Sequence, residues 1–150
     1  MKRYLEIEKQ VYQEIEKNCF GNKKRNGYRH LFGVSQLCLL YSIRFQLDQE
    51  LCAIMGLLHD YSVYKNNTSF NHAVLSSELA EKLLKETLLF DEKEIEIIVE
   101  AIKNHSTKNK RHDTYSELLK MCDVVDSYLH EPEMMLDHDR KYYLEKWRNL

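Results

Sequence analysis

Hydrophobic residues recur at every third or fourth position along most of the chain, which is the spacing of helices that bury one face. The first run, from Leu5 to Cys19, predicts a helix over about residues 4–18. The run from Leu51 to Leu58 is apolar at almost every position and predicts the most buried helix. In all, the pattern predicts six such helices and a last amphipathic one, over about residues 4–18, 30–45, 49–60, 71–88, 91–105, 114–131 and 133–149.

Polar stretches between these runs predict the connections. The segment Gly21–Gly27 carries turn-forming residues and a small basic cluster, and Tyr61–Phe70 has no helical periodicity, so both are expected to be loops. Residues suited to cap helix N-termini precede three helices: Asn71, Asp91 with Glu94, and Thr114 with Glu117. Only four Gly and one Pro interrupt the chain. We therefore predict an all-α fold, a single domain over residues 1–150 with six to seven helices.

Composition narrows the class of protein. A chain of 150 residues fits one domain with a hydrophobic core. The 22 Lys and Arg against 24 Asp and Glu give a net charge of −2, which argues against binding of a nucleic acid duplex by bulk electrostatics. Because there is no long apolar run and no signal-peptide pattern, we expect a cytoplasmic protein that does not bind membranes. Four widely spaced cysteines are typical of core thiols rather than of a zinc ribbon or a disulfide framework.

The candidate chemistry lies in a few histidines and aspartates. His59 and Asp60 end the most apolar run, where ionisable side chains are costly to bury unless a metal ion or a hydrogen-bond network compensates them. Other candidates lie near predicted helix ends or, in one case, within an apolar helix: His30, His72, His105 and Asp123. Imidazole and carboxylate together are a ligand set for Fe, Mn, Co, Ni or Zn in hydrolytic sites. Their spacing matches no local metal motif, so spacing alone leaves their convergence open.

In order and local context, these residues resemble the HD superfamily of metal-dependent phosphohydrolases. The resemblance consists of five motifs in order: His30-Leu31-Phe32-Gly33-Val34, Gly56-Leu57-Leu58-His59-Asp60-Tyr61, Asn71-His72-Ala73, Ile102-Lys103-Asn104-His105-Ser106 and Met121-Cys122-Asp123. It covers about residues 25–130. Within the superfamily, the chain is most similar to the bacterial HD-domain hydrolases that split diadenosine tetraphosphate symmetrically.

The resemblance implies a ligand set as well as an HD-type helical fold. It implies one metal ion held by His30, His59, Asp60 and Asp123, and a second held by His72 and His105 with Asp60 as a bridge. Two divalent transition-metal ions are therefore expected, with Fe or Mn favoured and Co, Ni or Zn also suited. His59 and Asp60 would form the catalytic centre, where a metal-activated water attacks phosphorus.

Positive side chains near such a centre should help to bind phosphate. Related HD proteins often have a lysine three residues after the aspartate of the His-Asp pair, which is His59-Asp60 here, but this chain has Val63 at that position. The nearest lysine, Lys65, is the catalytic candidate for phosphate contact. Further basic candidates precede His30 or follow His105: Lys23, Lys24, Arg25, Arg29 and Lys108.

The expected activity is hydrolysis of a phosphoester or phosphoanhydride in a small phosphorylated substrate, a nucleotide or a dinucleoside polyphosphate. The alternative is an HD-type sensor that binds metal and nucleotide with little turnover, which the absence of a lysine at position 63 keeps open.

Three histidines match no motif and are expected in solvent: His112, His130 and His138. Three aromatic residues are expected to pack the last helix onto the bundle, or onto a second copy of the chain in a homodimer: Tyr142, Tyr143 and Trp147.

Overall fold

A computed structural model describes residues 1–150 and confirms the all-α prediction, with eight helices rather than six to seven. The helices are α1 (Lys2–Asn18), α2 (Gly21–Ser42), α3 (Gln49–Leu58), α4 (Tyr61–Lys65), α5 (His72–Thr87), α6 (Glu92–Asn104), α7 (Thr114–His130) and α8 (His138–Arg148). None of them is both long enough and apolar enough to cross a membrane.

The predicted loop Gly21–Gly27 is wrong, because this segment is the first part of α2. Gly21 has a φ of +55°, so the chain turns sharply there and the helix begins at once. Close packing explains the glycine at position 27 within this helix, since a Cβ there would come within 2.9 Å of the Tyr64 ring. The basic residues around it occupy the outer face, where Lys24 pairs with Glu16 at 2.8 Å.

The predicted loop Tyr61–Phe70 is also partly wrong, because it contains the short helix α4. Tyr61 and Tyr64 are buried, and the Ser62 N–H donates to the Ser76 hydroxyl of α5 at 3.0 Å. A single helical turn is too short to show periodicity, so tertiary contacts define it.

Three helix starts differ in how far they match the predicted caps. Asp91 and Glu94 form the expected capping box before α6. Before α7 the cap is Asp113 rather than Thr114, and Asp113 accepts a hydrogen bond from the Ser116 N–H. Asn71 precedes α5 in a left-handed conformation, and its side chain makes no capping hydrogen bond.

The last helix begins at His138, later than the expected start at residue 133, because Asp137 caps it by accepting from the Arg140 N–H at 2.8 Å. The segment 131–137 before it is irregular and contains Pro132. Met134 and Leu136 of this segment and Arg140 in the first turn of α8 line a pocket together with Val124 and Ser127 of α7.

Helix α3 is the centre of the bundle, with every residue from Leu51 to Leu58 buried. Helix α2 crosses it closely at Gly56, where a Cβ would lie 2.8 Å from the Cα of Ser35. The C-terminus of α3 therefore delivers His59 and Asp60 into the interior. All four cysteines are buried free thiols.

A buried ionic network fastens α8 to α7. The fully buried Lys120 donates to Glu117 at 2.8 Å and to Nδ1 of His112 at 2.6 Å. The Tyr143 hydroxyl donates to Glu117 at 3.0 Å and accepts from Arg111 at 3.1 Å. His112 is therefore half-buried and hydrogen-bonded to Lys120, so the prediction that it lies in solvent is wrong.

Candidate metal centre

The six side chains predicted as metal ligands meet in the interior of the bundle. They come from five places in the fold: the middle of α2, the C-terminus of α3, the start of α5, the residue after α6 and the middle of α7. Three overlapping groups among them have ligand atoms within 4.8 Å of one another: His30, His59 and Asp60; His59, His105 and Asp123; and Asp60, His72 and His105. The helices thus gather residues far apart in sequence into one cluster.

One half of the cluster contains two histidines and two carboxylates. The Nε2 atoms of His30 and His59 are 3.0 Å apart. Asp123 Oδ1 lies 3.2 Å from His30 Nε2 and 3.5 Å from His59 Nε2. Asp60 Oδ2 lies 3.4 Å from each of these nitrogens. Four ligand atoms therefore converge on one point.

The other half of the cluster uses the second oxygen of Asp60. Its Oδ1 lies 3.2 Å from His105 Nε2 and 3.4 Å from His72 Nε2. Asp60 consequently presents one carboxylate oxygen to each half, which is the arrangement that a bridging ligand requires.

Hydrogen bonds on the far side of each ring fix which nitrogen faces the cluster. His59 Nδ1–H donates to the Gly56 carbonyl at 2.7 Å, and His105 Nδ1–H donates to the Ile102 carbonyl at 2.6 Å. His72 Nδ1 faces the Ser69 carbonyl at 3.3 Å. Because a carbonyl oxygen can only accept, the proton of each neutral ring lies on Nδ1 and the Nε2 lone pair points inward. Convergent lone pairs and carboxylates fit a bound cation.

The fourth histidine is oriented by a carboxylate that the sequence motifs did not single out. His30 Nδ1 lies 2.8 Å from Oδ2 of Asp126, which is buried. Gly33 makes this approach possible, since a Cβ at that position would overlap the Asp126 carboxylate. This is a physical reason for a glycine three residues after His30. Asp126 could have been suspected from its place one turn after Asp123 on α7.

Lys108 is hydrogen-bonded to two of the candidate ligand residues. Its buried Nζ donates to Asp123 Oδ2 at 2.8 Å and to the His105 carbonyl at 2.7 Å. Asp123 therefore has one oxygen on the lysine and the other on the cluster. This places Lys108 behind a ligand and not at the mouth of the site.

Lys65 does not join the cluster. Its Nζ pairs with Glu14 of α1 at 3.2 Å and lies 5.6 Å from the centre of the Tyr61 ring. Of the other basic candidates, Lys24 is paired with Glu16, and Arg25 and Arg29 are exposed on α2. The structure thus brings the metal-ligand candidates together and leaves these basic candidates outside.

The carboxylates dominate the electrostatics of the cluster. Burial opposes a charge on His30, but hydrogen bonds to Asp123, Asp126 and Asp60 raise its pKa to about 12. Burial is likewise outweighed at His59, where Asp60 helps to raise the pKa to about 9. The pKa values of Asp60 and Asp123 lie well below the usual range despite burial, chiefly because of His59 and Lys108 respectively. The cluster therefore favours positive charge between its carboxylates, as imidazolium or as a bound cation.

A pocket of about 260 Å³ opens onto the cluster. His30, Asp60 and Asp123 form one wall. The rest of the lining comes from α7, with Val124 and Ser127, and from the segment before α8 and its first turn, with Met134, Leu136 and Arg140. The sequence does not predict the contribution of residues 134–140 to this pocket, because no motif or periodicity connects them with the histidines.

Comparisons with known proteins found a matching family model and a solved structure of similar fold. A family model described as HD domain matches residues 27–129. The fold is similar to the crystal structure of a predicted HD superfamily hydrolase from an uncultured Thermotogales bacterium, with a TM-score of 0.63 and 19% sequence identity over 93% of this chain and 84% of that chain. No curated protein gives a significant match. At this identity the structural similarity concerns the fold alone.

Proposed function

Since the chain belongs to the HD domain family, a family of metal-dependent phosphohydrolases, we propose that it hydrolyses a phosphoester or phosphoanhydride bond in a small phosphorylated substrate, a nucleotide. One observation carries the proposal: six His and Asp side chains meet in a cluster whose two halves share Asp60, and three of them, His30, Asp60 and Asp123, line a pocket.

The residues of the cluster have separate tasks in this proposal. His30, His59, Asp60 and Asp123 would hold one divalent ion, and Asp60, His72 and His105 a second. A nitrogen and oxygen ligand set suits Fe, Mn, Co, Ni or Zn, and we propose Fe or Mn. Such ions supply Lewis acidity and an activated water nucleophile when bound. His59 and His105 keep their donor nitrogens on backbone carbonyls, so their Nε2 atoms stay available as ligands.

The size of the pocket bears on the substrate. At about 260 Å³ it lies just below the range of roughly 300–1,000 Å³ for sites that enclose drug-sized ligands. This supports a mononucleotide or a smaller phosphate ester in preference to a dinucleoside polyphosphate, which would extend out of the pocket.

Phosphate release from metal-loaded protein tests the proposal. We expect the wild type, loaded with Mn or Fe, to release phosphate from at least one member of a panel of mono-, cyclic and dinucleotides. Asp60→Ala should lose both bound metal and activity, because both halves of the cluster use this carboxylate. His138→Ala is the matched control, since His138 is exposed at the start of α8 and outside the cluster.

Two results would contradict parts of the proposal. One, full metal occupancy in Asp60→Ala measured by elemental analysis, would refute the bridging role of Asp60. The other is measurable nucleotide binding without turnover of any substrate with Fe, Mn, Co or Ni. The second result would identify a sensor module instead. The ion pair between Lys65 and Glu14 is the observation that favours that alternative.

A further inference from the structure

Two parts of the pocket lining have different chemistry. The part formed by His30, Asp60 and Asp123 belongs to the proposed metal centre. The part of the lining that comes from the C-terminal segment combines two apolar side chains, Met134 and Leu136, with the cationic residue Arg140. A ligand in the pocket would thus meet both metal ligands and a cation with apolar neighbours.

Arg140 is the only lysine or arginine that lines this pocket. Lys65 is paired with Glu14, and Lys108 is hydrogen-bonded to Asp123 and to a backbone carbonyl. Arg140 pairs only with Asp137, and its side chain keeps 47% of its surface exposed. The guanidinium donors that Asp137 does not occupy are therefore available to an incoming anion.

The position of Arg140 is fixed by the fold around it. Asp137 both accepts from the Arg140 backbone N–H and pairs with its side chain, which holds the guanidinium group at the first turn of α8. Tyr143, one turn further on, is fully buried and hydrogen-bonded to Glu117 of α7. Near the other end of the helix, Trp147 Nε1–H donates to the Tyr41 hydroxyl at 2.8 Å. Arg140 is thus presented by an anchored helix and not by a free tail.

We propose that Arg140 binds the phosphate group of the substrate in this pocket, and that Met134 and Leu136 contact its uncharged part. This inference rests on the proposed function for the identity of the anion. A guanidinium group can donate two parallel hydrogen bonds to phosphate oxygens, whereas a lysine offers a single point of charge. The C-terminal segment 134–140 then determines which phosphate esters fit.

Binding of inorganic phosphate to Mn-loaded protein tests the role of Arg140 without turnover. Broadening of the phosphorus NMR signal by bound Mn²⁺ gives the phosphate affinity, and electron paramagnetic resonance of free Mn²⁺ gives metal uptake. We expect Arg140→Ala to weaken phosphate binding by roughly 10-fold or more with unchanged metal uptake, and Arg140→Lys to lie between it and the wild type.

Arg148→Ala is the matched control, because Arg148 lies on the same helix, pairs with Glu145 and does not line the pocket. Its phosphate affinity should equal that of the wild type. Phosphate affinity unchanged in Arg140→Ala would overturn the inference, and so would a wild type that binds no phosphate.

The two proposals fail in different ways. If the wild type turns over a substrate while Arg140→Ala binds phosphate normally, the proposed function stands and the role of Arg140 is wrong. If phosphate binding depends on Arg140 while no substrate of the panel is turned over, the role of Arg140 stands and the hydrolase is wrong.

Discussion

At the scale of single residues, the centre depends on side chains behind the ligands. Asp126 accepts a hydrogen bond from His30 Nδ1–H, Lys108 donates to Asp123 Oδ2, and Gly33 leaves the space that Asp126 occupies. Such partners fix the orientation of a ligand and the nitrogen that faces the metal. The motif glycine after His30 is thus explained by packing around a second carboxylate.

Replacing Asp126 tests this positioning role. We expect Asp126→Ala to weaken Mn²⁺ binding by about 10- to 100-fold, because His30 loses the group that orients its ring. Asp126→Asn keeps an oxygen that can accept from Nδ1–H and should lose less. Isothermal titration calorimetry with Mn²⁺ measures both affinities. Equal affinity in Asp126→Ala and the wild type would show that His30 needs no such support.

The residue scale also shows what sequence could and could not predict about the site. The resemblance supplied six ligand candidates, and the structure brings all six together. The sequence predicts a phosphate contact for Lys65 because it is near His59 and Asp60 along the chain, but Lys65 lies on α4, where Glu14 of α1 is its neighbour. Arg140 could not be predicted, because its place in the pocket depends on how α8 returns to α7.

At the scale of elements, ionic contacts join α1 to the rest of the bundle. Arg3 pairs with Glu50 at the start of α3 at 2.8 Å and with Glu94 in the first turn of α6 at 2.9 Å. Glu50 also accepts from the Tyr4 N–H at 3.2 Å. Burial alone would raise the pKa of Glu50, but the hydrogen bonds from Arg3 and from the Tyr4 backbone help to lower it to about 2.

The lowered pKa of Glu50 predicts a pH-dependent contribution to stability. A carboxylate whose pKa is lower in the folded protein stabilises it above the unfolded pKa of about 4.3, and this contribution is lost as the pH falls towards 2. We expect Glu50→Gln to reduce the free energy of unfolding by about 1 to 2 kcal/mol at pH 7, since solvent screens part of the interaction.

Urea unfolding at pH 7, 4 and 2.5 measures this contribution. The difference between Glu50→Gln and the wild type should shrink steadily as the pH is lowered. Glu133→Gln, at an exposed position in the segment before α8, should show no such trend. A difference that is independent of pH would contradict the account.

The elements themselves were predictable where the periodicity was long. The apolar runs of α1, α3, α5, α6 and α7 lie within or close to the predicted segments, and the capping box at Asp91 is confirmed. The segments 21–27 and 61–65 are predicted as loops but are helical in the structure, where they pack against each other and α4 also packs against α5. Gly27 against Tyr64 is one such contact, which no local pattern of residues reveals.

At the scale of the whole molecule, the fold gathers ligands from five separate elements around the end of α3. The successive ligands are far apart along the chain, so periodicity could not show their convergence, and the resemblance to the HD superfamily predicted it instead. The C-terminal segment contributes to the lining of the pocket. A chain with a net charge of −2 thus encloses a compact cluster of histidines and aspartates beside this pocket.

Anomalous diffraction from crystals soaked in Mn²⁺ tests the central claim most directly. Data recorded above and below the manganese absorption edge locate bound ions without reference to activity. We predict two peaks, one among His30, His59, Asp60 and Asp123 and the other among Asp60, His72 and His105. A single peak in the cluster would refute the second ion. No peak in the cluster, or manganese bound only elsewhere on the protein, would contradict the metal centre.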